Sequence, residues 1–595
     1  MKIIQLCSIV NIYLILFVVS LIDAKLQCDE VSRAFKKKGS VDYNVAKKCL
    51  ESFPFNAEYA TKNIDAALHT LSHYYVFFDR AKEKSPSGFT YQPVDLEREL
   101  TSLRNKFLNQ IMTFLYTALR NPLFKLKDGH TRINNICYHH FIYDQKLSLY
   151  SVITTDKKGK KKQVFNDKLD PSNNDCEVTE IEGKPALQTI IDFASDRIAY
   201  SKDLGVRFNM ALAPSLNVFS QQFTLRGDLP ETSSIKYNLS CPKNKSSTIE
   251  RKWSVTYEDK FIFAFDNFCF NINNITALSF NDNFASSGKV TKSAPSDIFE
   301  TLKSSIAKNF YLLDDGKIKV GVAIINEERQ DLIDALKDGF QKLKRKGAKK
   351  LILDMSNNAG GDISLPLFLT SLLLSSKQPN SFPTDIIIQN FTVSKIEKNF
   401  NSKGPNDYDL YSPNFYLSFP SGNPFKNASE FIGSRKKRTS NLYLNALSPN
   451  EEKLLNNTSS FSWTSDDIII LTNGFCASAC AVLTLFFSEV HKVKTIAVGG
   501  LLDTQMSFST FPGGEITSSN LIMEFAGDNF TNLPVANALL LTIRESYDMD
   551  INGTVKDVLE YSYKPANYRL YYDEKNARDP SLLWLEAAKI LNNKA

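Results

Sequence analysis

The spacing of apolar residues changes several times along the chain, and each change predicts a different kind of structure. In residues 25–127 apolar residues recur three and four positions apart, as at Ile64 and Leu68, which predicts a helical N-terminal domain. In residues 128–260 shorter alternating segments lie between polar turns. This pattern predicts a β-rich region with one helix, from Pro185 to about Tyr200.

The most regular pattern lies in residues 261–394. Residues 317–325 form an apolar run typical of a buried strand, residues 327–346 carry apolar positions on one helical face, and residues 351–354 are again apolar. A strand, a helix and a second strand in this order predict a βαβ unit with parallel strands. A further helix is predicted at residues 363–375.

Residues 395–465 interrupt this pattern with proline, asparagine, glycine and aromatic residues, and we expect a long excursion over the surface there. The pattern resumes in residues 466–595. There, strand 466–472, helix 481–490 and strand 493–498 predict a second strand-helix-strand unit. The two units together predict an α/β core that is built from two separated parts of the chain.

Ser478 lies where the second unit passes from strand to helix, shortly after Gly474. The first free backbone amides of a helix point towards such a position, and the positive end of the helix dipole favours negative charge there. A serine here is placed as a nucleophile would be, but serine is also an ordinary helix cap. Two other segments favour catalysis: Lys-Asp-Gly-His-Thr-Arg at residues 127–132 and Asp-Met-Ser-Asn-Asn-Ala-Gly-Gly at residues 354–361.

The composition indicates an exported protein. The 595 residues are 43% apolar, enough for about three or four domain-sized units. Residues 1–24 have a basic start, an apolar stretch and a small final residue, which predicts a secretory signal rather than an uncleaved anchor. Nine cysteines less Cys7 in that signal leave eight, which suits an oxidising compartment, and we expect Cys28 to pair with Cys49.

These features predict that the protein is secreted or lies in the lumen of the secretory pathway. No later stretch reaches membrane-spanning length, so we expect no stable membrane insertion. Glycosylation sequons agree with export. They begin at Asn238, Asn244, Asn274, Asn390, Asn427, Asn456, Asn457, Asn529 and Asn552.

The net charge of +6 permits an acidic partner but does not indicate one. Basic runs at residues 157–162, 342–350 and 435–438 lack the glycine-rich loops or interleaved aromatics of nucleic-acid readers. They therefore favour solvated surface and no nucleic-acid partner. The run at residues 435–438 is alternatively a processing site.

The order and spacing of these segments resemble the C-terminal-processing, or tail-specific, serine peptidases. Within that family the resemblance is to the secreted members that look like the chlamydial protease-like activity factor and its fungal relatives. It implies a Clp-protease/crotonase-type peptidase core with a helical N-terminal domain and a PDZ-like insert. The segments that carry it are Phe53–Asn56, Asp128–Thr131, Glu177–Ala186, Asp354–Gly361, Cys476–Cys480, Gly499–Gly500 and Lys564–Leu570.

A serine nucleophile needs a base within hydrogen-bond reach. Bacterial members of the family use a lysine after the Gly-Gly turn, but residues 499–506 contain none, and Lys492 and Lys494 come too early. The tricorn-like and activity-factor-like branches use a distant histidine, in a motif similar to Asp-Gly-His-Thr at residues 128–131. The resemblance thus implies that His130 is the general base and then the general acid.

The resemblance also implies a third catalytic residue, a glutamate that orients the imidazole. Glu545 has the matching place in the chain, with Asp548 or Glu515 as alternatives. An oxyanion hole needs two backbone donors that face one point. The amide of Ala479 follows the nucleophile, and the second donor is expected from Gly360 or Gly361, because a residue without Cβ lets the main chain approach the substrate closely.

Cys476 and Cys480 flank the serine, and a helix N-terminus could lower the pKa of a thiol, so a thiol mechanism is an alternative. The resemblance instead implies a structural or disulfide role for both. His69 and His73 have the spacing of a metal pair, but no glutamate lies between them as in a zincin, which favours packing.

The sequence and the resemblance together predict a secreted serine endopeptidase with a Ser478-His130-Glu545 triad. It would act on a peptide or protein substrate and would use no metal and no nucleotide cofactor, while a homodimer is left open. One alternative is a catalytically silent protein on the same scaffold that binds apolar ligands. Another is an interaction module whose PDZ-like insert binds extended peptides by strand addition.

Overall fold

The structure is a computed structural model that describes most of the chain. Three predicted features lie outside the described part. They are the signal at residues 1–24, residues 54–56 of the Phe53–Asn56 segment, and the basic run at residues 435–438. The described residues are 26–53, 57–104, 112–135, 138, 141–156, 158–167, 176–213, 221–257, 303–314, 318–374, 381–402, 410–433, 439–456, 461, 463–531, 533, 537–550 and 552–592.

The α-helices are numbered in chain order. They are α1 (26–38), α2 (Tyr43–Ser52), α3 (Ala57–Tyr74), α4 (Leu96–Arg104), α5 (Met112–Lys125), α6 (Ala186–Arg197), α7 (Leu204–Ala211), α8 (Ile333–Arg345), α9 (Ser364–Leu374), α10 (Val393–Asn401), α11 (Ala428–Ile432), α12 (Pro449–Asn456), α13 (Ala479–Leu485), α14 (Ser519–Ala526), α15 (Glu574–Arg578) and α16 (Leu583–Asn592). The sequence prediction of a helical N-terminal domain agrees with α1 to α5.

The strands follow the same convention. They are β1 (Val41–Asp42), β2 (Arg132–Asn135), β3 (Phe141–Asp144), β4 (Leu149–Thr155), β5 (Lys161–Asp167), β6 (Glu177–Ile181), β7 (Lys184–Pro185), β8 (Leu225–Arg226), β9 (Ser234–Cys241), β10 (Lys245–Lys252), β11 (Ser254–Tyr257), β12 (Lys303–Ala307), β13 (Phe310–Asp314), β14 (Lys319–Ile324), β15 (Lys350–Asp354), β16 (Thr384–Ile386), β17 (Tyr416–Ser418), β18 (Asn423–Pro424), β19 (Tyr443–Asn445), β20 (Ile468–Thr472), β21 (Lys494–Val498), β22 (Ile516–Ser518), β23 (Asn537–Thr542), β24 (Arg544–Met549), β25 (Val555–Val558) and β26 (Tyr568–Leu570).

A seven-stranded sheet forms the centre of the α/β core, in the order β12-β13-β14-β15-β20-β21-β26. The strands from β14 to β26 are parallel. Both faces are covered: one by α8, α9 and α13, the other by residues of α16 and of the ribbon β4-β5. Parallel strands that are buried on both faces need continuous apolar runs, which explains sequences such as Ile468–Thr472. The two predicted strand-helix-strand units and the α/β fold class are therefore confirmed.

A second, three-stranded sheet connects the N-terminal helices to the core. β2 pairs antiparallel with β23, with Arg132 opposite Leu540 and Asn135 opposite Asn537. β22 pairs with the other side of β23. Because residues 128–131 directly precede β2, this pairing fixes where the Asp-Gly-His-Thr segment lies.

The sequence predicts a β-rich region at residues 128–260, and the described residues between 141 and 257 contain many strands. Their strands belong to two four-stranded sheets, β1-β11-β3-β8 and β10-β9-β6-β7, and to the ribbon β4-β5. The predicted helix is present as α6, and a disulfide joins Cys176 to Cys241. The PDZ-like character of this region stays a prediction.

The segment 395–465 differs from the expected surface excursion. Its strands β17, β18 and β19 join β16, β24 and β25 in a six-stranded sheet. Tyr416, Phe431 and Tyr443 are buried against one another, with ring centroids of Tyr416 and Tyr443 4.4 Å apart. These strands are two or three residues long, too short to produce a recognisable alternating pattern, so the sequence alone did not reveal them.

Candidate active site

Ser478 occupies the position before the first residue of α13, but it does not cap the helix. Its side chain makes no capping hydrogen bond, and its backbone has φ 55° and ψ −122°. A non-glycine residue at positive φ is strained, by about 1–3 kcal/mol, and such residues cluster at functional sites. The amide of Ser478 donates to the Thr510 carbonyl (3.3 Å), which holds the turn. The helix-cap interpretation is therefore wrong, and the hydroxyl is available for another partner.

A disulfide joins Cys476 to Cys480 around this turn. Both cysteines are fully buried, and the bond closes a loop of five residues with Ser478 at its centre. Neither sulfur is a thiol in this structure, which argues against the thiol mechanism. The predicted bond between Cys28 and Cys49 is also present.

The side chain that meets the Ser478 hydroxyl is His130. The distance from His130 Nε2 to Ser478 Oγ is 2.8 Å, across 348 positions of sequence. The His130 side chain is buried, and its ring stands edge-on to Phe511 with ring centroids 5.0 Å apart. The fold thus brings together the two residues that the sequence analysis selected as nucleophile and base.

Asp128 holds the His130 turn in place. Its Oδ1 accepts the His130 amide (3.0 Å), and its Oδ2 accepts the hydroxyls of Thr131 (2.7 Å) and of Thr542 on β23 (2.9 Å). An aspartate that accepts the amide two residues ahead is a common turn device. The sequence analysis assigned Asp128 no role, although its place in the Asp-Gly-His-Thr motif could have indicated this one.

Burial dominates the electrostatics of the imidazole. Removal from water lowers the pKa of His130 to about 4, and although the Asp128 carboxylate opposes this, the positive charges of Arg132 and Lys202 add to it. The ring is therefore neutral at physiological pH. Only a neutral imidazole can accept the hydroxyl proton, so the site is set for base chemistry.

The Gly-Gly loop lies against the nucleophile. A Cβ on Gly360 would lie 2.7 Å from Ser478 Cβ and 2.9 Å from the Ala479 nitrogen, so only glycine fits there. The Gly360 amide already donates to Asn358 Oδ1 (2.8 Å). Gly360 therefore brings the loop against the nucleophile, while its own amide is engaged within the loop. The assignment of Gly360 or Gly361 as oxyanion donor stays a prediction.

The third predicted residue, Glu545, does not reach His130 in this structure. It lies buried on β24, where its Oε1 accepts a hydrogen bond from the Tyr547 hydroxyl. Among the residues that the structure describes, none hydrogen-bonds to His130 Nδ1. The alternatives are also engaged elsewhere, since Asp548 pairs with Lys564 (2.7 Å) and Glu515 pairs with Arg544 (2.5 Å). The role of Glu545 stays a prediction.

The sequence analysis missed a second buried carboxylate, Glu560, which interacts electrostatically with Asp128. Glu560 is buried and forms an ion pair with the equally buried Lys202. Burial raises the pKa of Glu560 to about 7, with Lys202 opposing the rise and Asp128 adding to it. Both residues line a small cavity that also contacts Phe511. No local motif marks Glu560, because its partner lies 358 positions away.

The described residues contain no group of three or more His, Cys, Asp or Glu side chains that could hold a metal ion. His69 and His73 stack on each other with centroids 4.1 Å apart, and His69 Nε2 lies 2.8 Å from Asp528. No helix in the described ranges is long and apolar enough to cross a membrane.

Comparison with known proteins shows similarity to a curated peptidase. No protein-family model matches the chain. A curated peptidase S41 family protein of Aspergillus flavus is 26% identical over 223 residues, which cover 33% of this chain and 46% of the relative. The chain thus matches a little under half of the length of that relative.

Solved structures show the fold. The chain superposes on mature CPAF with a TM-score of 0.56 and 14% identity, over 91% of this chain and 98% of that one. Mature CPAF complexed with lactacystin gives a TM-score of 0.55 and 14% identity, over 90% and 99% of the two chains. The sequence match supports the expected similarity to S41-type peptidases, and these superpositions show that the chain shares the fold of CPAF.

The depressed pKa of His130 makes a testable prediction about pH. The neutral imidazole is the reactive form, so we expect the rate at which a fluorophosphonate labels Ser478 to fall as pH drops through about 4. With an ordinary histidine, the labelling rate would fall with a midpoint at about pH 6.5. Circular dichroism at each pH controls for unfolding, and a midpoint near that of a free histidine would contradict the buried, neutral imidazole.

Proposed function

We propose that this protein is a secreted serine endopeptidase that cleaves peptide bonds through an acyl-enzyme, with Ser478 as nucleophile and His130 as general base and acid. The observation that carries the proposal is the 2.8 Å contact between His130 Nε2 and Ser478 Oγ. Two residues so distant in sequence meet in a strained, disulfide-closed turn beside a Gly-Gly loop. Neither helix capping nor core packing accounts for this combination.

The reaction follows from the positions of these atoms. Ser478 Oγ attacks the carbonyl carbon of the substrate while its proton passes to His130 Nε2. The C–N bond of the tetrahedral intermediate then breaks, and the departing amine takes that proton. A water molecule repeats the sequence on the ester, its proton passing to His130 and then to Ser478 Oγ, which releases the carboxylate product and restores the serine.

Backbone amides stabilise the negative charge of the intermediate. The amides of Ala479 and Gly361 are the proposed donors, since Gly360 brings the loop against Ser478 and Ala479. Such a donor contributes about 3–4 kcal/mol to lowering the barrier in serine peptidases. The substrate is a peptide or protein, as the peptidase description of the curated relative supports.

The first prediction concerns the nucleophile. Ser478→Ala is expected to abolish fluorophosphonate labelling and to lower kcat on an unstructured protein such as casein by about 10⁶-fold. Lactacystin, the compound bound in one CPAF structure, should slow labelling of the wild type if the sites are alike. Ser488→Ala, ten positions later in the same helical run, is the matched control and should keep wild-type activity.

Two results would contradict the peptidase proposal. One is a wild type that neither hydrolyses casein nor reacts with the probe. The other is turnover that survives Ser478→Ala. Peptide binding without turnover, unchanged in Ser478→Ala, would instead favour the interaction module, and uptake of apolar ligands without turnover would favour the silent binding protein.

The second prediction concerns the orienting carboxylate, which we propose to be Glu545. Glu545 does not reach His130 in this structure, so its role requires the carboxylate to move to His130 Nδ1 when substrate binds. Catalytic hydrogen bonds often tighten only in the complex with substrate. Glu545→Gln should then lower kcat by up to about 10⁴-fold with little change in KM, as loss of a triad carboxylate does. Glu524→Gln, which changes an exposed glutamate on α14, is the control and should keep wild-type kcat. An active Glu545→Gln together with an inactive Glu560→Gln would transfer the role to Glu560.

The third prediction concerns export. We propose that residues 1–24 direct secretion and that sequon asparagines carry N-glycans. Asn390, Asn427, Asn529 and Asn552 are exposed, whereas Asn238 is half-buried and donates to Glu180 (2.6 Å). In a eukaryotic secretory host the mature chain should start near residue 25 and lose mass on N-glycosidase treatment, with Asn238 unmodified. Retention of the N-terminal segment and an unchanged mass would contradict export.

A further inference from the structure

The Gly-Gly loop rests on a buried carboxyl group that the proposed mechanism does not use. Glu328 follows β14 and is 0% exposed. Carboxylates are seldom fully buried unless they are paired with a cation. Glu328 has no cationic partner among the described residues. Its side chain instead accepts a hydrogen bond from the amide group of Asn358. A group so placed needs a structural reason.

The backbone of Glu328 hydrogen-bonds to the loop residues on either side of Gly361. Its amide donates to the Gly360 carbonyl (3.1 Å), and its carbonyl accepts the amide of Asp362 (2.6 Å). A Cβ on Gly361 would overlap the Glu328 carbonyl oxygen. Glu328 and Gly361 are thus in direct contact, and a displacement of one displaces the other.

The side chain of Glu328 reaches the loop through Asn358. The Nδ2 of Asn358 donates to Glu328 Oε1 (3.0 Å) and to the Ile325 carbonyl (2.9 Å). The Oδ1 of the same amide accepts from Gly360 (2.8 Å), and the Asn358 carbonyl accepts from Ala477, next to the nucleophile (2.9 Å). Asn358 therefore joins Glu328 to the loop and to the Ser478 turn.

We propose that Glu328 is a positioning residue for the oxyanion hole: as a neutral carboxylic acid it fixes the Asn358 amide and thereby sets where Gly361 lies relative to Ser478. This inference rests on the proposed peptidase function. The neutral acid is less costly here than a carboxylate, because Oε1 receives one amide hydrogen and Oε2 has no hydrogen-bond partner among the described residues to stabilise a charge. A charged carboxylate would be left with a single donor.

The electrostatic surroundings favour the neutral form. Burial raises the pKa of Glu328 to about 8; the Asn358 hydrogen bond opposes this rise and the charge of Glu327 adds to it. The nearby cation Arg329 is exposed and pairs with Asp331 at the surface. The Asp362 carboxylate accepts the Ser364 amide (2.9 Å) at the start of α9. No cation facing Glu328 is present in these described surroundings to hold it ionised at neutral pH.

Ionisation of Glu328 then has a defined consequence for catalysis. Above about pH 8 the carboxylate becomes charged directly behind the loop that is to bind the oxyanion. A buried negative charge opposes the negative charge that develops on the substrate oxygen, and it pulls on the Asn358 amide. We expect kcat to fall on the alkaline side for this reason.

The test compares Glu328→Gln and Glu328→Ala with the wild type, measuring kcat and KM on one peptide substrate between pH 6 and pH 10. Glu328→Gln keeps the acceptor for Asn358 but cannot ionise, so it should keep kcat near neutral pH and lose the alkaline fall. Glu328→Ala removes the support, and kcat should drop about 10- to 100-fold with KM little changed, as for catalytic groups misplaced by up to about 1 Å.

Asp334→Asn is the control, since Asp334 is an exposed carboxylate on the following helix, α8, where it pairs with Lys337, and its loss should leave the pH profile almost unchanged. An alkaline fall that persists in Glu328→Gln would overturn the inference, as would wild-type kcat in Glu328→Ala. If Glu328→Ala does not fold, as judged by circular dichroism, the pH profile of Glu328→Gln decides alone. A wild type without turnover or probe labelling would instead overturn the proposed function, before Glu328 is tested.

Discussion

The hydrogen bond between the Ser478 hydroxyl and the His130 imidazole is the contact on which the rest of the site depends. Ser478 follows a strand of the seven-stranded sheet, whereas His130 precedes a strand of the three-stranded sheet. A 2.8 Å contact between them exists only if the two sheets keep a fixed separation. The pairing of β2 with β23 and the bond from Thr542 to Asp128 supply that constraint on the histidine side.

On the serine side the constraint is a strained backbone that its neighbours hold in place. The positive φ of Ser478 is unfavourable by itself, and it persists because surrounding contacts fix it. Those contacts are the disulfide between Cys476 and Cys480, the carbonyl of Thr510 and the carbonyl of Asn358, which accepts the Ala477 amide. The strain turns the hydroxyl away from the helix that it would otherwise cap and towards the imidazole.

Burial has a common effect on the ionisable groups around this contact. It lowers the pKa of His130 and raises the pKa of Glu328 and of Glu560, so each group is shifted towards its neutral form. Shifts of this kind concentrate at functional sites, because a low-dielectric environment strengthens the interactions that stabilise a reacting charge. The same environment requires that polar groups around the serine have partners, which Asn358 and Asp128 provide.

The sequence by itself determined the features that depend on local pattern. Continuous apolar runs predicted β14, β15 and β20, and apolar residues on one helical face predicted α8. The break between strand and helix located Ser478. His130 was indicated differently, by the resemblance of its Asp-Gly-His-Thr motif to that of the tail-specific serine peptidases. The remaining features are local. Local pattern suffices for these features because strand and helix periods, and the turns between them, are set by neighbouring residues.

Only the tertiary structure decided which distant groups meet. It placed the short strands of residues 395–465 within a sheet, and it left Glu545 beside Tyr547 rather than at His130. It also paired Glu560 with Lys202 and set Glu328 beneath the Gly-Gly loop. The physical reason is that these contacts join residues far apart in the chain, and the burial that shifts their pKa values exists only once the core has closed around them.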